Sequence, residues 1–451
     1  MTSSPGSPDL AAQRAKLTSA SPERAWKSVR QLVLDGRGDA LALAVEFAEI
    51  AEPSTDKLLK LWSQAPDPDA FAACLLAPAF ADEGRTELKL RRRDSLTGLR
   101  HLTTLRTLRL DHCASLTDLS ELAALTGLTG LEMDGCAAVT DLAPLAGLAA
   151  LETLSLQSCR GISDISALLG LRRLRRLDLH GSGVSSVEGV GEAFPELTYL
   201  GLDNCRSIED VRALSGLRRL TELDLTGTKI RTIAGLRDLE SVTELTMHCA
   251  RLTSLDGIDA MPGLRTLWLN GCTNLKSLDG LGHHPHLTTL GLPGSSLPDL
   301  RPLSRLPALT AVTIEGFQKL TSLDGLEGHP SITEVNLCYA LDLRDFSALG
   351  HMPALRTLTL QGLDQINDLT PFSGLWQLEL LSVAYADQLW TLGAPEDLPA
   401  LRTLELYNCP SLIDLGTIID LPGLKEVEVH ECRALPSAVI SGLRARGLLT
   451  N

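Results

Sequence analysis

A spacing of 22 or 23 residues recurs through this chain from about residue 105 to residue 448. One unit reads Leu105-x-x-Leu108-x-Leu110-x-x-Cys113, and the same pattern starts again at Leu128. A fixed period of this length indicates a stacked solenoid, because one unit is too small to bury its own apolar face. The first apolar residues of the fifteen units fall at positions 105, 128, 151, 174, 197, 220, 242, 264, 287, 309, 332, 355, 378, 401 and 424.

Each unit has two parts with different periods. In the first part Leu-x-Leu alternates with a period of two, which predicts a short strand with its leucines facing the core. Successive units should place these strands side by side in a parallel sheet. In the second part an apolar residue recurs at every third position, which is typical of a 3₁₀ turn. A shorter, degenerate unit around Leu88 and Leu90 brings the total to about 16.

A short side chain with an oxygen atom stands where each turn should begin. Such a side chain can accept a hydrogen bond from the first amides of the turn. Asp118 and Glu121 also have the spacing of a capping box, in which the glutamate would bond back to the cap residue. The predicted cap residues are Asp118, Asp141, Asp164, Ser186, Asp210, Thr232, Ser254, Ser277, Asp299, Ser322, Asp345, Asp368, Thr391 and Asp414.

The units resemble the leucine-rich repeat of the short internalin-like class of bacterial proteins, over roughly three quarters of the chain. The resemblance implies an α/β fold, a right-handed horseshoe with a parallel β-sheet on its concave face and 3₁₀ or other short turns on its convex face. The chain departs from the family at the ninth position of the unit, where the family usually has asparagine. In seven units that position holds Cys113, Cys136, Cys159, Cys205, Cys272, Cys409 and Cys432.

The two ends of the chain lack the repeat. Residues 10–84 read as helices and predict a small helical N-terminal cap domain over the end of the core. The predicted helices begin at Pro22, at Asp39 and at Ser54 or Thr55, and a fourth runs from Phe71 to Phe80. We expect a disordered tail at 1–9, leucine-rich repeats at 85–434 and a C-terminal cap at 435–451.

The helical run before the repeats also resembles the arm that precedes the repeats of NACHT-type receptors. That resemblance implies a sensor that works with an ATPase. No Gly-x-x-x-x-Gly-Lys-Ser/Thr phosphate loop occurs in the sequence, so the ATPase would be missing or would be a separate protein.

Composition narrows the class of partner and the compartment. A net charge of -15 disfavours nonspecific binding to nucleic acid or to an anionic membrane, because both need a basic surface. No apolar run approaches the ~20 residues of a membrane span, and the N-terminus lacks the pattern of a secretory signal. We therefore expect a cytoplasmic protein whose ten cysteines are mostly reduced.

Cysteine and histidine clusters are the candidates for metal or catalytic chemistry. Cysteines at one repeat position form a linear ladder that does not converge on a metal, so each thiol should bond weakly to turn backbone. Cys249 and Cys338 are expected nearer the surface. His283, His284 and His286 look like a metal cluster, but histidine recurs in the turns of later repeats, at His329 and His351. With no catalytic set or nucleotide loop recognisable, we expect no enzyme, no cofactor and no metal.

The outward residues of the strands are the candidates for partner binding. Many are acidic, and the four tyrosines lie in or beside strands although aromatic residues make up only 4% of the chain. Aromatic residues often anchor protein interfaces. The predicted partner-binding residues are Trp268, Tyr339, Tyr385, Tyr407, Asp134, Asp178, Asp203, Asp224, Asn270, Glu315, Glu405 and His430. Six arginines should form a basic edge that pairs with nearby acids: Arg172, Arg173, Arg175, Arg176, Arg218 and Arg219. A phosphate-bearing partner for this edge is the alternative.

The sequence thus predicts a non-enzymatic scaffold or recognition module. Its acidic, aromatic-anchored concave face should bind a protein or peptide with a basic or mixed surface. Two other hypotheses stay open at this stage. One is the sensor subunit of a defence-type, NACHT-like assembly, and the other is an enzyme with an unrecognised site in the concave groove.

Overall fold

The computed structural model describes residues 10–16, 20–282, 284–293, 297, 300–316, 320–363, 365–393 and 398–450. The chain divides into two compact units, Met1–Val184 and Ser185–Asn451. The expected disordered tail at 1–9, His283 and Asp299 lie outside the described residues. The predicted bounds of the tail, the N-terminal cap, the repeats and the C-terminal cap stay predictions.

The first unit begins with a run of helices. They are α1 (Leu10–Arg14), α2 (Pro22–Asp35), α3 (Gly38–Ala51), α4 (Thr55–Trp62), α5 (Pro68–Phe71), a π-helical turn (Ala72–Leu76) and α6 (Ala77–Asp82). Pro22 is the first residue of α2 and Thr55 is the first residue of α4, as predicted. The predicted fourth helix starts earlier, at Pro68, and contains the π-helical turn. Pro78 explains that turn, because proline has no N–H to donate to the carbonyl four residues earlier.

Five strands follow in the first unit and pair in parallel, in chain order. They are β1 (Glu87–Arg91), β2 (Thr107–Asp111), β3 (Gly130–Asp134), β4 (Thr153–Ser155) and β5 (Arg176–Asp178). The register aligns Leu108 with Leu131 and Leu131 with Leu154, and all three leucines are fully buried. The predicted period of two is therefore confirmed in this unit.

The second unit has eleven strands among its described residues, and consecutive strands are again parallel neighbours. They are β6 (Tyr199–Gly201), β7 (Glu222–Asp224), β8 (Glu244–Thr246), β9 (Thr266–Trp268), β10 (Thr289–Leu292), β11 (Ala311–Glu315), β12 (Glu334–Cys338), β13 (Thr357–Gln361), β14 (Leu380–Ala384), β15 (Thr403–Tyr407) and β16 (Glu426–His430). The unit also contains α7 (Val190–Ala193) and α8 (Ser437–Ala445). After α8 the chain returns to β16, where Val427 N donates to Leu448 O at 2.7 Å.

Short 3₁₀ turns connect the strands, as the spacing of three predicts. In the first unit they are Leu99–His101, Ser120–Ala124, Ala143–Leu145 and Ser166–Leu168. In the second unit they are Arg212–Leu214, Ile258–Ala260, Asp279–Leu281, Arg301–Arg305, Ser347–His351, Thr370–Phe372 and Gly416–Asp420.

Six of the predicted aspartate caps begin 3₁₀ turns: Asp118, Asp141, Asp164, Asp210, Asp345 and Asp368. Asp141 Oδ1 accepts a hydrogen bond from Ala143 N at 2.8 Å, and the same bond to the second following amide recurs in both units. The prediction of a capping box at Asp118 and Glu121 is wrong. Glu121 accepts bonds at 3.1 Å from Gly98 N and Arg100 N of the preceding repeat. A side chain of this length reaches the neighbouring repeat, and sequence spacing alone does not reveal that.

The cysteine ladder forms through hydrogen bonds to backbone. Cys159 Sγ donates to Met133 O at 3.3 Å, and Cys272 Sγ donates to Met247 O at 2.9 Å. The expectation for Cys249 was wrong, because this residue is fully buried and its thiol donates to Leu225 O at 3.0 Å. Its unit lacks one residue between strand and turn, which brings Cys249 into the ladder. Cys338 is half-buried.

Two histidines also belong to the core of the repeat. His284 and His329 are buried, and the Nε2 atom of each faces a carbonyl 26 residues earlier, Ile258 O at 3.4 Å and Leu303 O at 3.2 Å. His351 differs, since it is exposed and contacts Ser347 O of its own turn at 3.0 Å. The prediction that histidine serves the repeat is thus confirmed for His284 and His329.

His329 should make the second unit sensitive to acid. Burial lowers the pKa of His329 from its ordinary value of 6.5, so the unfolded chain takes up the proton more readily than the folded chain. Stability should therefore be fully present above about pH 6.5 and fall as the pH drops below it. His329→Leu, which copies Leu306 one repeat earlier, should reduce the loss of urea midpoint between neutral and mildly acid pH. His351→Leu is the control, and an equal acid loss in all three proteins would contradict this role.

Candidate functional site

The outward strand residues of the first unit form internal ion pairs. Lys89 Nζ lies 2.6 Å from Asp111 Oδ2, and Arg109 Nε lies 3.2 Å from Glu132 Oε2 on the next strand. The hydrogen bond from Lys89 lowers the pKa of Asp111. Bases and acids therefore neutralise one another over these strands, which leaves little charge to attract a partner.

Two predicted partner-binding residues lie in the first unit. Asp134, at the end of β3, is half-buried. Asp178 is only 3% exposed, and its carboxylate accepts hydrogen bonds from Gln157 Nε2 at 2.8 Å and from His180 N at 3.1 Å. Arg176 NH2 lies 3.5 Å from the same carboxylate. Asp178 therefore serves the sheet itself rather than an exposed surface.

The outward residues of the second unit's strands include many acids but no lysine or arginine. In strands β6–β16 no outward position holds lysine or arginine. We call the outward side of these strands the acidic face, and its carboxylates are Glu222, Asp224, Glu244, Glu315, Glu334, Glu405, Glu426 and Glu428. The register places Glu222 directly beside Glu244, and Glu405 directly beside Glu428. Like charges in directly opposite positions destabilise a sheet, so the acidic face is maintained against its own repulsion.

Three predicted residues meet in the middle of the acidic face. Trp268 is half-buried, and its ring lies over Gly291 of the next strand, where any side chain would collide with the ring. Asn270 Nδ2 donates to Glu315 Oε2 at 2.6 Å. Trp268 thus packs against the sheet and does not project as the exposed anchor that the sequence predicted. Of the two remaining aspartates, Asp203 is half-buried, and Asp224 accepts a bond from Thr226 N at 2.9 Å.

The last two strands bring three more predicted residues together. The Tyr407 hydroxyl donates to Glu428 Oε2 at 2.6 Å, and the Tyr407 and His430 rings stack in parallel with centroids 4.8 Å apart. His430 Nε2 lies 3.7 Å from the same carboxylate oxygen of Glu428. The hydrogen bond to Glu428, with burial and the charge of Glu405, raises the pKa of Tyr407 to about 12. The phenol therefore holds its proton more tightly than an ordinary tyrosine does, as expected of the donor in this bond.

Tyr339 and Tyr385 are the exposed aromatic residues at the ends of strands. They directly follow β12 and β14, and their side chains are 45% and 48% exposed. Both backbones are left-handed, with φ values of 52° and 53°. Bulky residues rarely adopt this conformation and are often functional where they do. Glycine, serine or asparagine holds the corresponding position in most other repeats, and Arg92, His112 and Glu431 hold it in three more. The small residues include Gly135, Ser158, Gly181, Asn204, Gly227, Gly316, Gly362 and Asn408.

The strand ends have room for these rings. Gly362 lies between the two tyrosine positions, and a side chain there would collide with the Tyr339 ring. Gln361 Nε2 donates to the Tyr339 hydroxyl at 3.1 Å. We call Tyr339, Tyr385 and Tyr407 the tyrosine row, because they lie at the ends of β12, β14 and β15.

Other exposed apolar residues occur in the same part of the second unit. Seven large hydrophobic side chains are exposed among the described residues. Leu34 is the one that belongs to the first unit. The others are Tyr339, Leu341, Trp376, Tyr385, Trp390 and Ile413. Sequence analysis missed Trp390 and Ile413 because they lie outside the strands. Comparison of equivalent repeat positions could have found them, since Thr117, Thr140 and Thr253 hold that position elsewhere.

Three of the six arginines of the predicted basic edge have acidic partners nearby. Arg218 NH2 lies 3.5 Å from Asp238 Oδ1, and Arg219 pairs with Glu196, in the second unit. In the first unit Arg176 faces Asp178. These contacts agree with a solvated edge whose charges are paired.

Comparisons with solved structures identify the architecture. Internalin InlF from Listeria monocytogenes is 21% identical, with a TM-score of 0.51 over 73% of this chain and 87% of that chain. A leucine-rich repeat protein from Leptospira interrogans is 19% identical, with a TM-score of 0.58 over 83% of this chain and 98% of that chain. The fold is a leucine-rich repeat solenoid. It carries a small α-helical N-terminal cap, as the sequence predicted.

The remaining comparisons add no function to this leucine-rich repeat chain. No protein-family model matches it, and no curated protein matches it. Within the described ranges, no three histidine, cysteine, aspartate or glutamate side chains are grouped so that they could hold a metal ion.

The hydrogen bond between Tyr407 and Glu428 can be tested by titration. Glu428→Gln removes the negative acceptor, so the pKa of Tyr407 should fall from about 12 toward the ordinary value of 10.0. Stopped-flow pH jumps that read phenolate absorbance before the protein unfolds would measure this. Tyr407→Phe should remove the late-ionising tyrosine from the wild-type trace. A Tyr407 that ionises with the other three tyrosines in the wild type would contradict the bond.

Proposed function

We propose that this protein is a non-enzymatic module that binds a protein or peptide on the acidic face of its second unit. The observation that carries the proposal is the absence of lysine and arginine from the outward positions of β6–β16, where eight carboxylates lie. An acidic surface that lacks lysine and arginine attracts a basic partner and speeds its association. The partner should therefore carry lysine or arginine on the segment that contacts the sheet.

The tyrosine row supplies anchors beside this charge. Tyrosine rings offer a large contact area with little conformational entropy to lose, and they also attract cations. Neighbouring strands are about 4.8 Å apart, so Tyr339 and Tyr385, two strands apart, should be separated by about 10 Å. A peptide in the polyproline II conformation advances about 3.1 Å per residue and completes one turn in three residues, so every third side chain returns to the same side after about 9 Å. Such a peptide lying across the strands could thus present every third side chain to the row.

The other predicted binding residues have secondary roles in this proposal. Trp268, Asn270 and Glu315 would form the floor of the face, while Glu405 and His430 would flank Tyr407. Asp203 and Asp224 would add charge toward β6 and β7. We retain a cytoplasmic location and a partner other than nucleic acid as parts of the proposal. Among the described residues, no helix has the length and hydrophobicity to cross a membrane. No contact among them favours the sensor or the enzyme hypothesis.

The decisive variants replace tyrosine with the residue that other repeats use. Tyr339→Asn and Tyr385→Asn copy Asn204 and Asn408, which hold the same left-handed position. The double variant should fold as well as the wild type or better, since asparagine tolerates this conformation. Capture of the native partner from the source cell should fall about tenfold, because buried aromatic anchors dominate interface energies. Quantitative affinity capture with mass spectrometry would measure the change.

The controls separate the tyrosine row from general stickiness and from charge. Trp376→Ala removes an exposed aromatic side chain that lies outside the strands, and capture should stay at the wild-type level. Raising the salt should weaken wild-type capture, because the acidic face is screened. Undiminished capture by the double asparagine variant at both salt concentrations would refute the proposed binding surface.

A further inference from the structure

An open groove lies between the helices of the first unit, and the proposed function does not use it. The groove has a volume of about 660 Å³ and lies between α3, the start of α4, the π-helical turn and α6. Its floor is apolar. The residues that form the floor are Val45, Ala48, Leu58, Leu75 and Ala79.

The rim of the groove is acidic. Glu49 and Glu52 border it from α3 and its end, and Asp82 and Glu83 border it from the end of α6. All four carboxylates are exposed, and the described residues that line the groove include no lysine or arginine. Glu83 has a structural role, because it accepts hydrogen bonds from Thr55 N at 2.9 Å and Thr55 Oγ1 at 2.7 Å. The other three carboxylates remain as charges around an apolar floor.

Charge and shape together select the class of occupant. An apolar floor between helical walls fits a third helix, whose side chains can interdigitate with those of α3 and α6. An acidic rim without bases repels phosphates, fatty acids and acidic peptides, and favours lysine and arginine beside an apolar stripe. We propose that this groove is a docking site for a basic amphipathic helix of a partner protein. The site lies in the first unit and does not depend on the acidic face of the second.

The thiol of Cys74 can report whether the groove is occupied. Cys74 lines the groove and is exposed, whereas Cys338 is half-buried and the other eight cysteines are buried. Alkylation under native conditions should therefore modify Cys74 first. A helix seated in the groove should cover this thiol and slow its alkylation.

The experiment uses the full chain and a designed peptide of leucine and lysine with leucines at helical i, i+3, i+4 and i+7 spacing. Peptide mapping by mass spectrometry would follow alkylation of Cys74 over time. We expect the peptide to slow the reaction about tenfold. A peptide with glutamate in place of lysine should give no protection, and neither should a scrambled peptide of the same composition. Because only Cys74 is read, binding of the peptide to the acidic face does not affect the result.

Charge reversal on the rim provides the matched protein variants. Glu49→Lys with Glu52→Lys should abolish the protection, while Glu23→Lys, an exposed site on α2 outside the groove, should leave it intact. Circular dichroism would confirm that the variants are folded. Absence of protection in the wild type, or equal protection by the scrambled peptide, would overturn the proposed site.

Discussion

The stacking of inward leucines between adjacent repeats is the interaction on which the rest of this protein depends. No unit of 22 or 23 residues can bury its own apolar side chains, so each unit's leucines are covered by the units on either side. The register shows this directly, since Leu358 pairs with Val335 on one side and with Leu381 on the other. Burial of such side chains is worth about 1.5–3 kcal/mol each, more than the roughly 0–1 kcal/mol of an exposed ion pair.

The periodic part of the structure was predictable because every unit repeats the same physical problem. Leucine spacing gave the strands, the spacing of three gave the 3₁₀ turns, and Asp, Ser and Thr marked the starts of turns. Even the burial of Cys249 could have been read from the sequence. Leu252 follows Val242 by ten residues, whereas Leu116 follows Leu105 by eleven, so this unit lacks one residue before its turn.

The candidate site was less predictable because it depends on contacts between units. Sequence spacing showed that Asp178 and Trp268 face outward. It did not show that Gln157 bonds to the Asp178 carboxylate or that the Trp268 ring lies over Gly291. The bond from Tyr407 to Glu428 depends on the register of β15 and β16. Left-handed tyrosines at 339 and 385 break the repeat's preference for small residues, and that departure separates what the fold requires from what this chain has added.

Inward residues of the strands stabilise the fold, and outward residues do not. This difference can be tested at two adjacent residues of β8. Leu245 is buried, whereas Glu244 is exposed beside Glu222. Urea unfolding of Leu245→Ala and Glu244→Gln is the most direct measurement. The account predicts that the leucine variant loses about 2–5 kcal/mol, while the glutamine variant is unchanged or gains a few tenths through relief of repulsion. A glutamine variant that unfolds as readily as the alanine variant would contradict it.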